Sequence, residues 1–276
     1  MVFSRFDLTI TNPNGTSGCN RSRSSKVTKV KDDNDYNPHR EPFQYYPSTA
    51  NPTHIRPSSV EAIGKDGDET HHQYDMHDFI DAVNAGNMPA ISFLKPPTIQ
   101  SGHSAESDPL DEQEFLVNTI NFIEQSKFWD STAIIVTYDD SDGWYDHQFG
   151  PIVNSSNGIA DFLNDKGVCG DQKVILPGID ASNHHALARC GHGPRLPLLV
   201  LSPWSKENFV DHTLTDQTSV IRLVEDHWLA GKRIGQGSFD ELAGSIESMF
   251  DFQHARKTDL LLLKPKTGEV KGDDKD

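Results

Sequence analysis

Residues 132–147 read TAIIVTYDDSDGWYDH. An apolar run of β-type residues ends at Tyr138, and Asp139, Asp140, Asp142 and Asp146 follow within eight residues. Four like charges at the end of a buried strand cannot all be buried and ionised without a counter-charge. A hard or borderline cation is the usual solution: oxygen ligands suit Mg, Ca or Mn, and Zn also accepts carboxylate. Asp139 and Asp140 point to opposite faces of an ideal strand, but at a strand end the chain is turning and both can reach one ion. An exposed acidic turn, with solvated aspartates capping their own backbone, explains the cluster equally well. An EF-hand does not, because aligning Asp140, Asp142 and Gly143 to that loop puts Tyr138 and Phe149 at its first and twelfth positions.

The pattern around this run constrains the fold. Residues 75–85 predict a helix, with Gly86 as its C-terminal stop, and 89–94 predict a short buried strand. Residues 109–125 predict the clearest helix: Asp108 can cap it, Pro109 suits its first position, and Phe115, Leu116, Ile120 and Ile123 share a face. The strand 132–138 follows, then a Gly- and Asn-rich insertion, then a third strand at 196–202. A helix over 216–229 is expected to start at Thr215 and to turn Ile221, Val224 and Trp228 inward. Short apolar strands alternating with amphipathic helices indicate an α/β fold with a mostly parallel sheet covered on both faces. Sites in such sheets lie beyond the carboxyl ends of the strands. Two of these ends carry candidate chemistry, His103 in the loop after 89–94 and Asp139–Asp140 after 132–138. Residues 1–60 have loop chemistry, with Phe43, Tyr45 and Tyr46 suggesting an ordered loop, and 253–276 read as a polar, disordered tail.

Composition narrows the partners. The 276 residues carry 25 Lys+Arg and 41 Asp+Glu, a formal charge of −16. That disfavours nonspecific binding to nucleic acid or to anionic membranes, both of which rest on Lys and Arg. No apolar run approaches the roughly 20 residues of a membrane-spanning helix. The N-terminus lacks a basic segment followed by an apolar one, so the chain as given is expected to carry no signal peptide and to stay cytoplasmic. Of the three cysteines, Cys169 and Cys190 flank a Gly/Pro/Asn/His-rich segment. Their number alone allows either a disulfide or free thiols. His71-His72 and His184-His185 sit in polar segments and read as surface residues. His147 either orients Asp146 or packs beside Trp144. No H-E-x-x-H, C-x-x-C pair, G-x-S-x-G or P-loop pattern is present.

Five blocks in order carry a resemblance: PHREPFQYYPSTANPTHIRP, HHQYDMHDFIDAVNAGNMPAISFLKPP, GHSAESDPLDEQEFLVNTIN, IIVTYDDSDGWYDH and RCGHGPRLPLLVLSPWSKENFVDHTLTDQTSVIRLVEDHW. Together they resemble the bacterial phosphoesterase family, which contains phospholipases C and acid phosphatases of the alkaline-phosphatase-like superfamily, and most closely its acid-phosphatase branch. The resemblance implies a three-layer sandwich and the metal-dependent hydrolysis of a phosphate-ester substrate through a phosphoseryl intermediate. It implies one divalent metal ion of unknown identity, ligated by Asp139 and Asp140. It assigns His103 to the phosphoryl group. The family has two adjacent histidines where this chain has His39 and Arg40, so His39 is the second candidate for the phosphoryl group. An arginine there binds phosphate but does not donate a proton. Cys169 and Cys190 match a cysteine pair of the family, which implies a disulfide in an exported, periplasmic or secreted parent.

Much of the family pattern is not in this sequence. Members are much longer, begin with an export signal, and carry an early Glu-Asn block, an Arg-Ser-Phe-Asp block and a metal-binding serine nucleophile. The expectation is therefore that residues 1–252 form the C-terminal part of a phosphoesterase catalytic domain whose N-terminal half is missing, with little or no turnover by itself. The missing half is then its expected partner. The competing expectation is a non-catalytic remnant, or a complementing half, that binds metal or phosphate without turnover.

Overall fold

The computed structural model describes all residues except 1, 5–6, 12–16, 19–22, 33–39, 142–145, 149, 160, 172–189, 256–259 and 273–276. His39, Cys19, Asp142, Trp144 and His184-His185 lie outside the described residues. Among the described residues the architecture is mixed α/β, with nine short strands and three helices. In chain order these are β1 (Val2–Ser4), β2 (Asp7–Thr11), β3 (Ser17–Gly18), β4 (Arg23–Ser24), β5 (Lys31–Asp32), β6 (Gln73–Asp75), α1 (Met76–Ala85), β7 (Phe93–Leu94), α2 (Pro109–Glu124), β8 (Ile134–Thr137), β9 (Leu198–Leu201) and α3 (Thr218–Trp228). Two units account for the chain: Met1–Thr132 with Thr258–Asp276, and Ala133–Lys257.

The first unit holds a parallel sheet of order β6–β1–β7, in which Val2 lies opposite both Gln73 and Phe93. Residues 1–60 are therefore not wholly irregular, since β1 is the central strand. A three-residue strand leaves no periodic signal of its own, and partners far along the chain decide its pairing. β7 is shorter than the expected 89–94, being flanked by Pro89, Pro96 and Pro97, which cannot donate to a ladder. β6 runs directly into α1. The Asp75 carboxylate accepts the His77 N–H at 2.8 Å and the Asp78 carboxylate accepts the Asp75 N–H at 3.0 Å, a reciprocal cap. Gly86 closes the helix at φ +80°, a conformation that favours glycine. Met76, Phe79, Ala82 and Val83 of α1 are buried with Ile63 and Tyr74, and Phe79 meets Phe122 edge-on at 6.4 Å. Arg56 gives the buried Asp78 its counter-charge at 2.8 Å.

α2 begins as expected, with Asp108 accepting the Leu110 N–H at 2.8 Å. Its buried residues are Asp111, Val117, Asn121, Ile123 and Glu124, so of the expected apolar face only Ile123 is fully buried. The C-terminal segment supplies the reason. Residues 260–272, read from composition as disordered tail, form a turn in which Leu263 bridges Val270. This turn docks on α2. The Asn121 side chain donates to Leu263 O at 2.8 Å and accepts from Leu263 N at 3.1 Å, while Gln113 donates to Pro265 O at 3.0 Å. Side-chain amides satisfying backbone groups, rather than apolar contact, tie this segment down, and hydropathy does not register them.

In the second unit β8 and β9 pair antiparallel, Ile134 opposite Leu201 through Thr137 opposite Leu198. The expected parallel pairing does not extend to them. The described part of the connecting segment holds no helix, and an antiparallel return needs no crossover element. α3 starts at Thr218 with Gln217, not Thr215, in the cap position, and Thr218 N donates to Asp216 Oδ1 at 2.8 Å. Trp228, expected inward, is 57% exposed at the helix end. Cys169, Ala243, Ile246 and Phe250 are the buried apolar residues of this unit among those described. Cys169 and Cys190 form a disulfide with Cα atoms 6.1 Å apart. Ser156 exchanges backbone hydrogen bonds with Cys169 at 2.9 and 3.0 Å, and Val153 N donates to Cys190 O at 3.0 Å, so both cysteines are held to one segment.

If Asn121 is what secures residues 260–272, Asn121→Ala destabilises the chain by about 1–3 kcal/mol, the cost of leaving buried backbone groups unpaired. Chemical denaturation checks the value, and proteolysis of the C-terminal segment should accelerate in the same variant.

Candidate functional site

The turn after β8 is built from backbone restraints. Thr137 Oγ1 donates to Pro197 O at 3.1 Å. Gln217, at the start of α3, donates its side-chain amide to Tyr138 O at 3.2 Å and also to Asp139 O. Asp139 and Asp140 are exposed. A few residues on, Asp146 has an assigned counter-charge. Arg195 reaches its two carboxylate oxygens through Nε at 3.0 Å and Nη2 at 2.9 Å, and its backbone N–H adds a third bond at 2.9 Å. This forked contact holds the Asp146 carboxyl well below the usual carboxylate range. Beside the start of α3, His192 Nδ1 stands 3.3 Å from Asp216 Oδ2.

The acidic run thus divides. Asp146 belongs to an ion pair that shapes the segment, as expected for a turn-forming residue, although its partner is Arg195 and not His147. Asp139 and Asp140 remain the candidate ligands. As two adjacent oxygen donors they fit a hard or borderline divalent cation in kind. They do not fit it in number, because among the described residues no group of three or more His, Cys, Asp or Glu side chains is gathered for a metal.

The loop after β7 is a tight construction around His103. Ser107 Oγ donates to Ile99 O at 3.1 Å, Gln100 Nε2 to Asp111 O at 3.1 Å, and Ser107 N to His103 O at 2.9 Å. Gly102 precedes the histidine at φ +79°, and a Cβ there would lie 2.9 Å from the Glu112 carboxylate. His103 is exposed, and its Nδ1 lies 2.7 Å from Ser104 O. A carbonyl only accepts, so Nδ1 carries the proton and Nε2 is the acceptor nitrogen of the neutral ring. Arg40 comes to the same loop. Its guanidinium is 7% exposed, and Nη2 pairs with Glu106 Oε2 at 2.6 Å. The same oxygen is 3.8 Å from His103 Nδ1. Two residues that the sequence flagged far apart, Arg40 and His103, therefore meet at one carboxylate.

A cavity of about 550 Å³ in this unit runs between α1 and α2, floored by Met76, Phe79, Ile99, Phe115 and Phe122 and edged by His77. Neither His103 nor Arg40 lines it. Sequence reading missed Glu106, Arg195 and Gln217 altogether. For Glu106 a signal existed, since a carboxylate three residues after a candidate histidine in a Gly/Ser turn is within reach of it. Arg195 and Gln217 act across distances of 49 and 78 residues, which spacing does not reveal.

Comparison with known proteins places the chain. The model of the Phosphoesterase family matches residues 15–229. The Non-hemolytic phospholipase C of Pseudomonas aeruginosa is 29% identical over 147 residues, covering 53% of this chain and 21% of that protein. The Non-hemolytic phospholipase C of Burkholderia pseudomallei is 31% identical over 147 residues, 52% of this chain and 19% of its own length. Phospholipase C A of Mycobacterium tuberculosis is 28% identical over 177 residues, 63% of this chain and 32% of that protein. The chain thus spans between about a fifth and a third of the length of the curated relatives it matches. Positions 39, 40, 103, 139 and 140 all fall inside the matched span.

The Asp146–Arg195 pair carries a pH signature. With its folded pKa depressed, Asp146 contributes stability that is present above its ordinary value of 3.8 and is lost as acid titrates it through the lowered folded value. Arg195→Ala should therefore lower the melting temperature modestly at neutral pH, with the gap to wild type closing as pH falls below about 4. Because Arg195 is mostly exposed, the neutral-pH gap should also shrink in high salt. Thermal melts across pH and ionic strength check both trends.

Proposed function

This chain belongs to the Phosphoesterase family, and from that premise we propose that it supplies part of a catalytic domain that hydrolyses phosphate esters, of the acid phosphatase or phospholipase C type. The observation that carries the reading is the family match across residues 15–229, which takes in both candidate loops. In this reading Asp139 and Asp140 are two of the ligands of a divalent metal ion. Such an ion supplies positive charge to the phosphoryl oxygens. His103, its Nδ1–H committed to Ser104 O, offers Nε2 to the phosphoryl group or the leaving oxygen. Arg40, with His39 before it, supplies a fixed cation for the same group. The nucleophile is a serine outside this sequence, and the remaining metal ligands are outside it too. The complete domain is a three-layer sandwich of the alkaline-phosphatase-like kind, a reading supported by the parallel β6–β1–β7 sheet with α1 leaving the end of β6. The Cys169–Cys190 disulfide supports an oxidising compartment, periplasmic or secreted, for the whole protein.

The small metal-donor set among the described residues favours a second reading, a non-catalytic remnant or complementing half that binds metal or phosphate without turnover. One assay separates the two. Hydrolysis of p-nitrophenyl phosphate and of phosphatidylcholine is measured for the chain alone and for the chain co-expressed with the remainder of a full-length relative. The expected result is negligible turnover alone and restored turnover together. Asp139→Asn or Asp140→Asn should then cost at least about 100-fold, as loss of an electrostatic transition-state contact does. Turnover by the chain alone would show that it holds its own nucleophile, and no turnover in either state would leave only the non-catalytic remnant.

A further inference from the structure

We propose that Glu106 is a positioning residue of the His103 loop, holding Arg40 and the His103 ring in one arrangement through a single carboxylate oxygen. The inference rests on the reading of His103 and Arg40 as phosphoryl-binding groups, but its evidence is separate. Glu106 Oε2 accepts from Arg40 Nη2 at 2.6 Å and stands 3.8 Å from His103 Nδ1. Glu106 is itself fixed by the turn that presents His103, its backbone N–H donating to His103 O at 3.2 Å. Arg40 enters from a remote segment and is almost fully buried, so it needs a counter-charge to stay there. Its other terminal nitrogen, Nη1, is also buried and has no hydrogen-bond partner. One arm of the guanidinium fork is thus held by Glu106, and the other is left for a second oxygen acceptor. An oxyanion of the phosphate class matches that demand, accepting from Nη1 while Nη2 stays with Glu106.

Three consequences follow from the geometry. Without Glu106 the buried guanidinium loses its counter-charge, and its long side chain gains freedom by turning out to solvent. The cation is then no longer preorganised, and binding an anion has to fix it again. The His103 ring loses the negative charge 3.8 Å from Nδ1, which favours a proton on that nitrogen.

The test uses the full 276-residue chain and inorganic phosphate as the probe. Phosphate is titrated into wild type, Glu106→Gln, Glu106→Asp and Glu106→Ala, with affinity from calorimetry and the His103 imidazole followed by nitrogen-15 NMR. Wild type should bind phosphate with a shift of the His103 signal. Glu106→Gln, which keeps the shape but not the charge, should weaken binding by about tenfold through lost preorganisation, and Glu106→Ala at least as much. Glu106→Asp, which keeps the charge, should recover part of the loss. In the neutral ring, Ser104 O still favours the Nδ1–H form, and loss of the Glu106 charge should raise the share of the Nε2–H form in the Gln and Ala variants. A merely structural role would lower the melting temperature and leave the phosphate affinity and His103 tautomer of the folded protein unchanged, which would overturn the proposal. Tighter phosphate binding in Glu106→Gln would overturn it too, because the carboxylate would then only repel the anion. If wild type binds no phosphate, the phosphoryl reading of His103 and Arg40 fails on that result alone. The His103 tautomer still decides whether Glu106 positions the ring.

Discussion

Charge placed at the carboxyl end of a strand has to be balanced, and much of the local structure of this chain follows from how that is done. Asp78, two residues into the helix that leaves β6, is buried and answered by Arg56. Arg40 is buried under the loop that leaves β7 and answered by Glu106. Asp146, in the segment beyond β8, is answered by a forked contact from Arg195. A buried ion is strongly destabilising when its partner is lost, so the Asp78 and Arg40 pairs fix where their loops can go even if their net contribution to stability is small, whereas the exposed Asp146–Arg195 pair acts through its forked geometry. Asp139 and Asp140 differ from all three. They stay exposed at a strand end whose backbone, not whose carboxylates, is pinned by Gln217.

The His103 loop follows the same logic with the sign reversed. Its carboxylate is spent on the protein's own cation, and the histidine ring is oriented by a backbone carbonyl. Its charged and proton-bearing groups are thus a guanidinium held by a carboxylate and an imidazole held by a carbonyl. A phosphoryl group needs both kinds of partner, a cation-binding carboxylate pair and oxygen-binding donors.

Local chemistry made some of this legible in the sequence. Gly86 after α1 and Asp108–Pro109 at the start of α2 act within one helical turn, and each lies where its spacing predicts. The two strand ends were equally readable, because a buried apolar run that stops at a polar loop is a local event. Long-range pairing was not. β1 joins the sheet through partners more than 70 residues away, and β8 pairs with a strand some 60 residues on, antiparallel to it. Nothing in three or four residues encodes such choices. Hydropathy misled in both directions. It read residues 260–272 as a free tail and Trp228 as core, because it weighs apolar surface and not amide hydrogen bonds or helix ends. The site residues divide in the same way: Asp139, Asp140 and His103 stood out by position, whereas Glu106 and Arg195 became visible only through the partners they hold.

The account stands most directly on whether the β8 turn is a metal-binding turn. Electron paramagnetic resonance of Mn²⁺ added to the folded chain measures this without requiring turnover. Wild type should show weak but saturable binding, and both Asp139→Asn and Asp140→Asn should abolish it while leaving the melting temperature nearly unchanged. Saturable binding that survives in both variants, or no saturable binding by folded wild type, would contradict it and return DDSDG to the status of a solvated acidic turn.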